Sequence, residues 1–194
     1  MRKTMSLFLS LFSSMALLAQ TGVIRLVNSS FEQAPAEATV PRGWLRCSDV
    51  STPDILPGPW GVDNEAQDGD TYVGLITRAN GTYEHLVQLL TEPLQANQCY
   101  KTHLYLAHSN TYYGYTKPIK LRIWLGHYPC NRDQLIYVSP FIDHEEWKRY
   151  EFEFVPKKNY QYIYIEAWYK IIFRDHKGNI LIDGMGDIVP CTRA

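Results

Sequence analysis

Apolar and polar residues alternate with a period of two through much of the second half of this chain, and clusters of Gly, Pro and Asn interrupt the alternation. The pattern predicts strands at 23–31, 71–76, 83–90, 99–108, 119–125, 134–138, 147–155, 160–168 and 179–189. No stretch after residue 20 repeats at the helical period. The chain therefore reads as all-β, and about nine strands at this spacing suit a two-sheet antiparallel β-sandwich of jelly-roll type.

Successive residues of a strand point to opposite faces, so each strand divides into a core set and an outer set. In 160–168, Ile163, Ile165 and Ala167 read as core, leaving Tyr160, Tyr162, Tyr164, Glu166 and Trp168 outside. In 120–125, Leu121, Ile123 and Leu125 point inward, leaving Arg122 and Trp124. In 99–108, Leu104 and Leu106 oppose His103 and Tyr105. In 147–155, Tyr150, Phe152 and Phe154 oppose Arg149, Glu151 and Glu153.

If these four strands share one sheet, its outer face gathers aromatic rings, two arginines and several carboxylates. Aromatic rings stack on the C–H faces of pyranoses, while Arg and Glu bond hydroxyls. The predicted ligand-binding residues are Trp124, Trp168, Tyr164, Tyr162, Tyr105, Arg122 and Glu166. A loop at 109–115, with three tyrosines around Gly114, would overhang this face and add Tyr113 and Tyr115. The same residues also admit a purely structural reading. Tyrosine packs well on strands, cross-strand pairs stabilise exposed sheets, and the connection at 33–70 would then cover the face.

That connection carries Pro35, Pro41, Pro53, Pro57 and Pro59, which interrupt any strand, together with Trp44 and Trp60. It is expected to lack regular structure and to be pinned to the surface by its tryptophans and by a disulfide from Cys47.

Arg2 and Lys3, then an apolar run at 5–18, then Ala19, have the order of a secretory signal at 1–19, leaving 20–194 as a single domain. The apolar run is too short for a comfortable membrane span. The mature chain is expected to be exported, to the periplasm, the cell surface or beyond, and not to span the membrane. Losing Arg2 and Lys3 takes the basic residues from 19 to 17 against 20 acids, a net charge of −3, which offers nothing to nucleic acid. Four cysteines in an oxidising compartment predict two disulfides, and without a CxxC pair zinc is not expected. Spacing alone leaves three connectivities open. Because Cys99 opens one strand and Cys191 closes another, Cys99–Cys191 with Cys47–Cys130 is favoured.

Two short apolar runs near the chain ends each carry a carboxylate, Glu32 and Asp183, and suggest a buried metal. The ordered series Asn28-Ser-Ser-Phe-Glu32, Pro41-Arg-Gly-Trp44, Asp68-Gly-Asp-Thr-Tyr72, the strand holding Gln88, Cys99-Tyr100 and 179–183 resembles galactose-binding-like β-jelly-roll domains. It is similar in particular to carbohydrate-binding modules of secreted bacterial proteins. The resemblance implies a structural Ca2+ held by the side chains of Glu32 and Asp183, with Asp70 or Asp68 and the Ser30 carbonyl completing the shell. Ser29 stands where Gly is common in such domains, and Gly184 where a second Asp is frequent. The alternative is a tight turn at Asp68-Gly69-Asp70 with solvated acids, and Glu32 and Asp183 bonded to backbone amides.

Catalytic patterns are absent from the sequence. His144-Glu145-Glu146 lacks the second His of a zinc-protease helix, no serine lies in a Gly-x-Ser-x-Gly elbow, and no phosphate or dinucleotide loop occurs. Glu151 and Glu166 are the carboxylates to consider as an acid–base pair on a glycosidic bond. The sequence therefore points to a secreted non-catalytic module binding a carbohydrate. The alternatives are an adhesion or assembly protein binding a cell-surface protein through the same face, and a small glycosidase or lyase.

Overall fold

The computed structural model describes residues 22–169 and 176–191. The signal expected at 1–19 lies outside these residues. The strands are β1 (Asp54–Leu56), β2 (Tyr72–Thr77), β3 (His85–Leu94), β4 (Tyr100–Ala107), β5 (Lys117–Pro118), β6 (Lys120–Gly126), β7 (Gln134–Val138), β8 (Lys148–Phe154), β9 (Tyr160–Trp168), β10 (Gly178–Asp183) and β11 (Val189–Pro190). They form two sheets. A four-stranded sheet runs β3-β9-β6-β7, and a seven-stranded sheet runs β1-β2-β10-β4, with β8 along one edge of β4 and β10 followed by β11 along the other. All pairings are antiparallel except the short β5–β10 contact.

The inward sets of the sequence reading meet between the sheets. Leu104 and Leu106 of β4 and Ile180 and Ile182 of β10 pack in one cluster with Leu121, Ile123 and Leu125 of β6 and Ile163, Ile165 and Ala167 of β9, and all ten are completely buried. Each fully buried aliphatic side chain of this kind contributes roughly 1.5–3 kcal/mol of transfer free energy. A second cluster lies on the opposite, outer side of the seven-stranded sheet, where Tyr72, Ile76, Ala107 and Leu181 are covered by Leu56, Val62 and Tyr112. Gly74 permits that cover. A Cβ at this position would sit 2.7 Å from Leu56 Cδ1 and 3.0 Å from Tyr112 Cε2.

Three expectations are corrected. The first strand, expected at 23–31, is reduced to a single bridge between Ile24 and Ile188, because Asn28 and Phe31 take positive φ angles of 50° and 56° and turn the chain. The side chain of Gln88 holds this turn, accepting from Val27 N–H at 2.9 Å and donating to the carbonyls of Val27 and Gly43. The connection at 33–70 is more ordered than its prolines suggest. It contains β1, and it bridges to the sheets at Ala36–Ile55 and Leu45–Val87. Third, the four strands with aromatic and charged outer faces do not share a sheet. β6 and β9 are in one, β4 and β8 in the other.

Trp44 does pin the connection, buried against Phe31 at 5.2 Å, whereas Trp60 is 38% exposed. The disulfides are Cys47–Cys130 and Cys99–Cys191, the favoured pairing. The first ties the connection to the β6–β7 loop, and the second fastens the end of β11 to the start of β4.

Candidate functional site

The outer face of the four-stranded sheet is laid out by strand register. Across β9 and β6, Trp168 lies opposite Lys120, Glu166 opposite Arg122, and Tyr164 opposite Trp124. On the β3 side, His85 lies opposite Glu166 and Val87 opposite Tyr164, while Val138 and Leu135 of β7 extend the same rows beyond Arg122 and Trp124.

Glu166 organises the centre. Its side chain is completely buried and binds the guanidinium of Arg122 through Oε1 and that of Arg132 through Oε2, the latter at 3.0 Å. Trp124 donates its indole N–H to Oε1 at 2.9 Å. Arg122 lies between two indoles, 5.3 Å from the Trp124 ring centre and 4.8 Å from that of Trp168. Its Nε has no hydrogen-bond partner. Lys120 continues the series, with Nζ 4.8 Å from the Phe141 ring and 6.0 Å from Trp168. Cations over aromatic faces attract the ring quadrupole, by about 0.5–1 kcal/mol where solvent is near.

Tyr164 is only 4% exposed, stacked on His85 at 5.1 Å with Arg132 above it at 5.6 Å. Burial lowers the pKa of His85, with the Glu166 charge opposing, and a neutral ring agrees with Nε2 accepting the N–H of Cys47 at 3.0 Å. The Cys47–Cys130 bridge thereby ties the rim of this face to its interior. Tyr164 and Glu166 support the face from below, while Trp124, Trp168, Tyr162, Arg122 and Lys120 are half-buried and present surface to solvent. Glu166 is an outward residue by alternation that is nonetheless sealed by its partners.

The structure separates the remaining predicted residues from this group. Tyr105 lies on β4, in the other sheet, beside His103. These two line an open polar cleft of about 270 Å³ with Ser29, Ser30, Gln67, Asp68 and the Gly184–Gly186 turn. Tyr115 packs into the cluster covering the seven-stranded sheet, and Tyr113 is 76% exposed beside it. Tyr112 anchors that loop by donating its hydroxyl to the Asp54 carboxylate. The loop therefore covers the seven-stranded sheet and does not overhang Trp124. Glu151 is on β8, paired with Arg149 at 2.6 Å, so Glu151 and Glu166 sit in different sheets and cannot flank one bond.

Arg132, His85, Lys120 and Phe141 escaped the sequence reading. Lys120 was legible, since it is in period with Arg122 and Trp124. Arg132 follows Cys130 by two residues, and the favoured Cys47–Cys130 pairing would have brought it to the rim.

The carboxylates near the chain ends meet the Asp68–Thr71 turn. Glu32 Oε1 accepts the N–H groups of Asp70 and Thr71, each at 3.1 Å. The buried Asp183 accepts three backbone amides, from Gln67 at 2.8 Å, Asp68 at 2.9 Å and Gly184 at 2.7 Å. Burial pushes its carboxyl up to about 7 against the lowering effect of these bonds. Ser30 donates its hydroxyl to Asp68. Among the described residues the one trio of metal-type side chains whose ligating atoms converge is Cys99, Glu153 and Cys191, where both sulfurs are disulfide-bonded. Glu32, Asp68, Asp70 and Asp183 form no such trio. As arranged, Glu32 and Asp183 form an amide cage: they accept backbone amides of the turn and its neighbours and fasten the turn to both chain ends.

No family model and no curated protein matches the chain. Solved structures do. A CBM22-1 xylan-binding domain from Paenibacillus barcinonensis superposes with a TM-score of 0.57 at 16% identity, covering 89% of this chain and 97% of that one. A cleaved adhesin domain of Lys-gingipain from Porphyromonas gingivalis gives 0.53 at 13% identity, covering 84% and 96%. A family 16 carbohydrate-binding module gives 0.50 at 12% identity, covering 84% and 98%. The chain thus has a β-sandwich fold of the carbohydrate-binding-module kind. Among the described residues no helix is long and apolar enough to cross a membrane.

Proposed function

We propose that this protein is a non-catalytic module of the cell exterior that binds a carbohydrate on the outer face of its four-stranded sheet. The observation that carries the reading is the pair of half-buried indoles, Trp124 and Trp168, held on either side of Arg122 by a buried carboxylate. Rings fixed in this way lose little entropy when a sugar stacks on them. The arrangement does not favour hydrolysis, because Glu166, engaged by two arginines and without solvent contact, is ill placed to give a proton to a leaving group. Two disulfides suit an oxidising compartment.

The test is glycan retention by the purified protein and by Trp124→Ala and Trp168→Ala variants. Loss in both variants with unchanged melting temperature supports the reading. Undiminished retention removes this face from consideration.

A second reading is a protein-binding adhesion surface. It is favoured by the apolar side chains around the same indoles, where Leu89 is 52%, Leu135 41%, Val138 40% and Phe141 47% exposed. A partner protein would bury these residues, and Leu135→Asp would then abolish binding that Trp168→Ala only weakens.

A further inference from the structure

The charge on the tryptophan face narrows the ligand class, an inference that rests on the carbohydrate reading above. Among the described residues, Lys120, Arg122 and Arg132 are the cations of this face, and Glu166 is the carboxylate at its centre. Three positive groups against one negative leave a net charge of about +2, on a chain whose formal charge is −1. Glu151 and Glu153, the acids that strand alternation alone assigns here, lie on β8 in the opposite sheet. Lys120 has no carboxylate partner among the described residues, and the side chain of Arg132 is 41% exposed.

Hydrogen-bonding type agrees with charge. Lysine and arginine are donors without acceptor capacity. The carboxylate, which would have accepted from sugar hydroxyls, is completely buried and already receives two guanidinium groups and an indole N–H. Apart from tyrosine hydroxyls, the face therefore presents donors. A neutral sugar, whose hydroxyls donate as well as accept, is poorly matched to it. A ligand group that only accepts is well matched.

Cations and rings also alternate in space. Phe141, Lys120, Trp168, Arg122 and Trp124 follow one another at ring-to-cation distances of 4.8, 6.0, 4.8 and 5.3 Å. A pyranose stacked on Trp168 would carry its exocyclic substituent toward Lys120 or Arg122. We infer that the ligand is an anionic polysaccharide whose carboxylate or sulfate groups are read by Lys120 and Arg122 while its rings stack on Trp168 and Trp124.

The test is calorimetric binding to three polymers, polygalacturonate, dextran sulfate and neutral xylan, each at low and high salt. Tighter binding to one of the charged polymers, by about tenfold or more over xylan, is expected. That binding should weaken with salt, fall about tenfold in Lys120→Gln, recover in Lys120→Arg and be lost in Trp168→Ala. Polygalacturonate against dextran sulfate separates carboxylate from sulfate recognition. Equal or tighter binding to xylan, still sensitive to Trp168→Ala, overturns the anionic inference and leaves the carbohydrate reading standing. Binding of charged polymers that neither Lys120→Gln nor Trp168→Ala alters is nonspecific and also overturns it. Binding to none of the three overturns both.

Discussion

Arg122 lies directly across from Glu166 in the β6–β9 register, and it reaches that buried carboxylate from between the rings of Trp124 and Trp168. A single cross-strand pair thus fixes both indoles of the candidate binding face. Removing one partner of a buried, hydrogen-bonded ion pair costs about 3–5 kcal/mol. The two arginines keep 19% and 41% of their side-chain exposure. Glu166→Ala is therefore expected near the lower end, about 3 kcal/mol by urea denaturation. The indole N–H resonance of Trp124 should shift as its acceptor disappears. A stability loss below about 1 kcal/mol, the range of exposed pairs, would mean that the carboxylate does not organise the face.

The two disulfides close loops of similar length, with sequence separations of 83 and 92. In the chain-entropy model each stabilises by about 4–5 kcal/mol. They differ in what they hold. Replacing Cys47 and Cys130 by Ser should lower stability and also change tryptophan fluorescence and ligand affinity, because the bridge anchors the loop carrying Arg132 and the chain that bonds His85. Replacing Cys99 and Cys191 should lower stability to a similar extent and leave the fluorescence of the folded protein unchanged.

The inward residues of β4, β6 and β9 were legible because alternation at period two reports burial directly, and the outward sets Arg122, Trp124 and Tyr162, Tyr164, Glu166, Trp168 fell on one face as read, whereas Tyr160, expected in the same outward set, is buried in the core cluster. The assignment of strands to sheets was not legible. Alternation says which side of a strand is wet, and nothing about which strand lies beside it. For that reason alternation alone groups Tyr105 and Glu151 with Trp124, although long-range pairing puts them in the other sheet of the sandwich. The first strand failed for a local reason. Asn28 and Phe31 adopt positive φ, and the Phe31 ring is buried against Trp44, a contact between separate segments that alternation within one strand does not disclose.

Glu84 supplies a pH test away from the binding face. Its carboxylate is completely buried, with Arg78 at 2.5 Å, the Thr52 hydroxyl at 2.9 Å and the Ile76 amide at 3.0 Å, and burial raises its pKa to about 7 despite these partners. In the unfolded chain it titrates at its ordinary value near 4.5. Between these pH values the folded protein binds the extra proton, so acidification through that window stabilises and a rise through about 7 removes the stabilisation. Denaturation midpoints measured from pH 5 to about 8 should fall with rising pH, and Glu84→Gln should flatten that slope. An unchanged slope in the variant would assign the dependence to another group.

Gly69 tests the amide cage at the chain ends. Its φ is +71°, and a Cβ there would lie 2.3 Å from Glu32 Oε1. Gly69→Ala should therefore cost about 1–3 kcal/mol, through the turn and the displaced carboxylate together. The same preparation reads the question of calcium. The amide cage predicts melting temperatures within about 1 °C of each other with calcium and with chelator, whereas a rise of several degrees would return a metal to Glu32 and Asp183.

The most direct test of the central claim is a glycan-array measurement on three matched proteins: the unaltered chain, Trp168→Ala and Tyr105→Ala. Trp168 lies on the four-stranded sheet and Tyr105 on the other. The account predicts that the unaltered chain and Tyr105→Ala retain the same glycans and that Trp168→Ala retains none. Retention by Trp168→Ala with loss in Tyr105→Ala would place the site on the opposite side of the sandwich and contradict it.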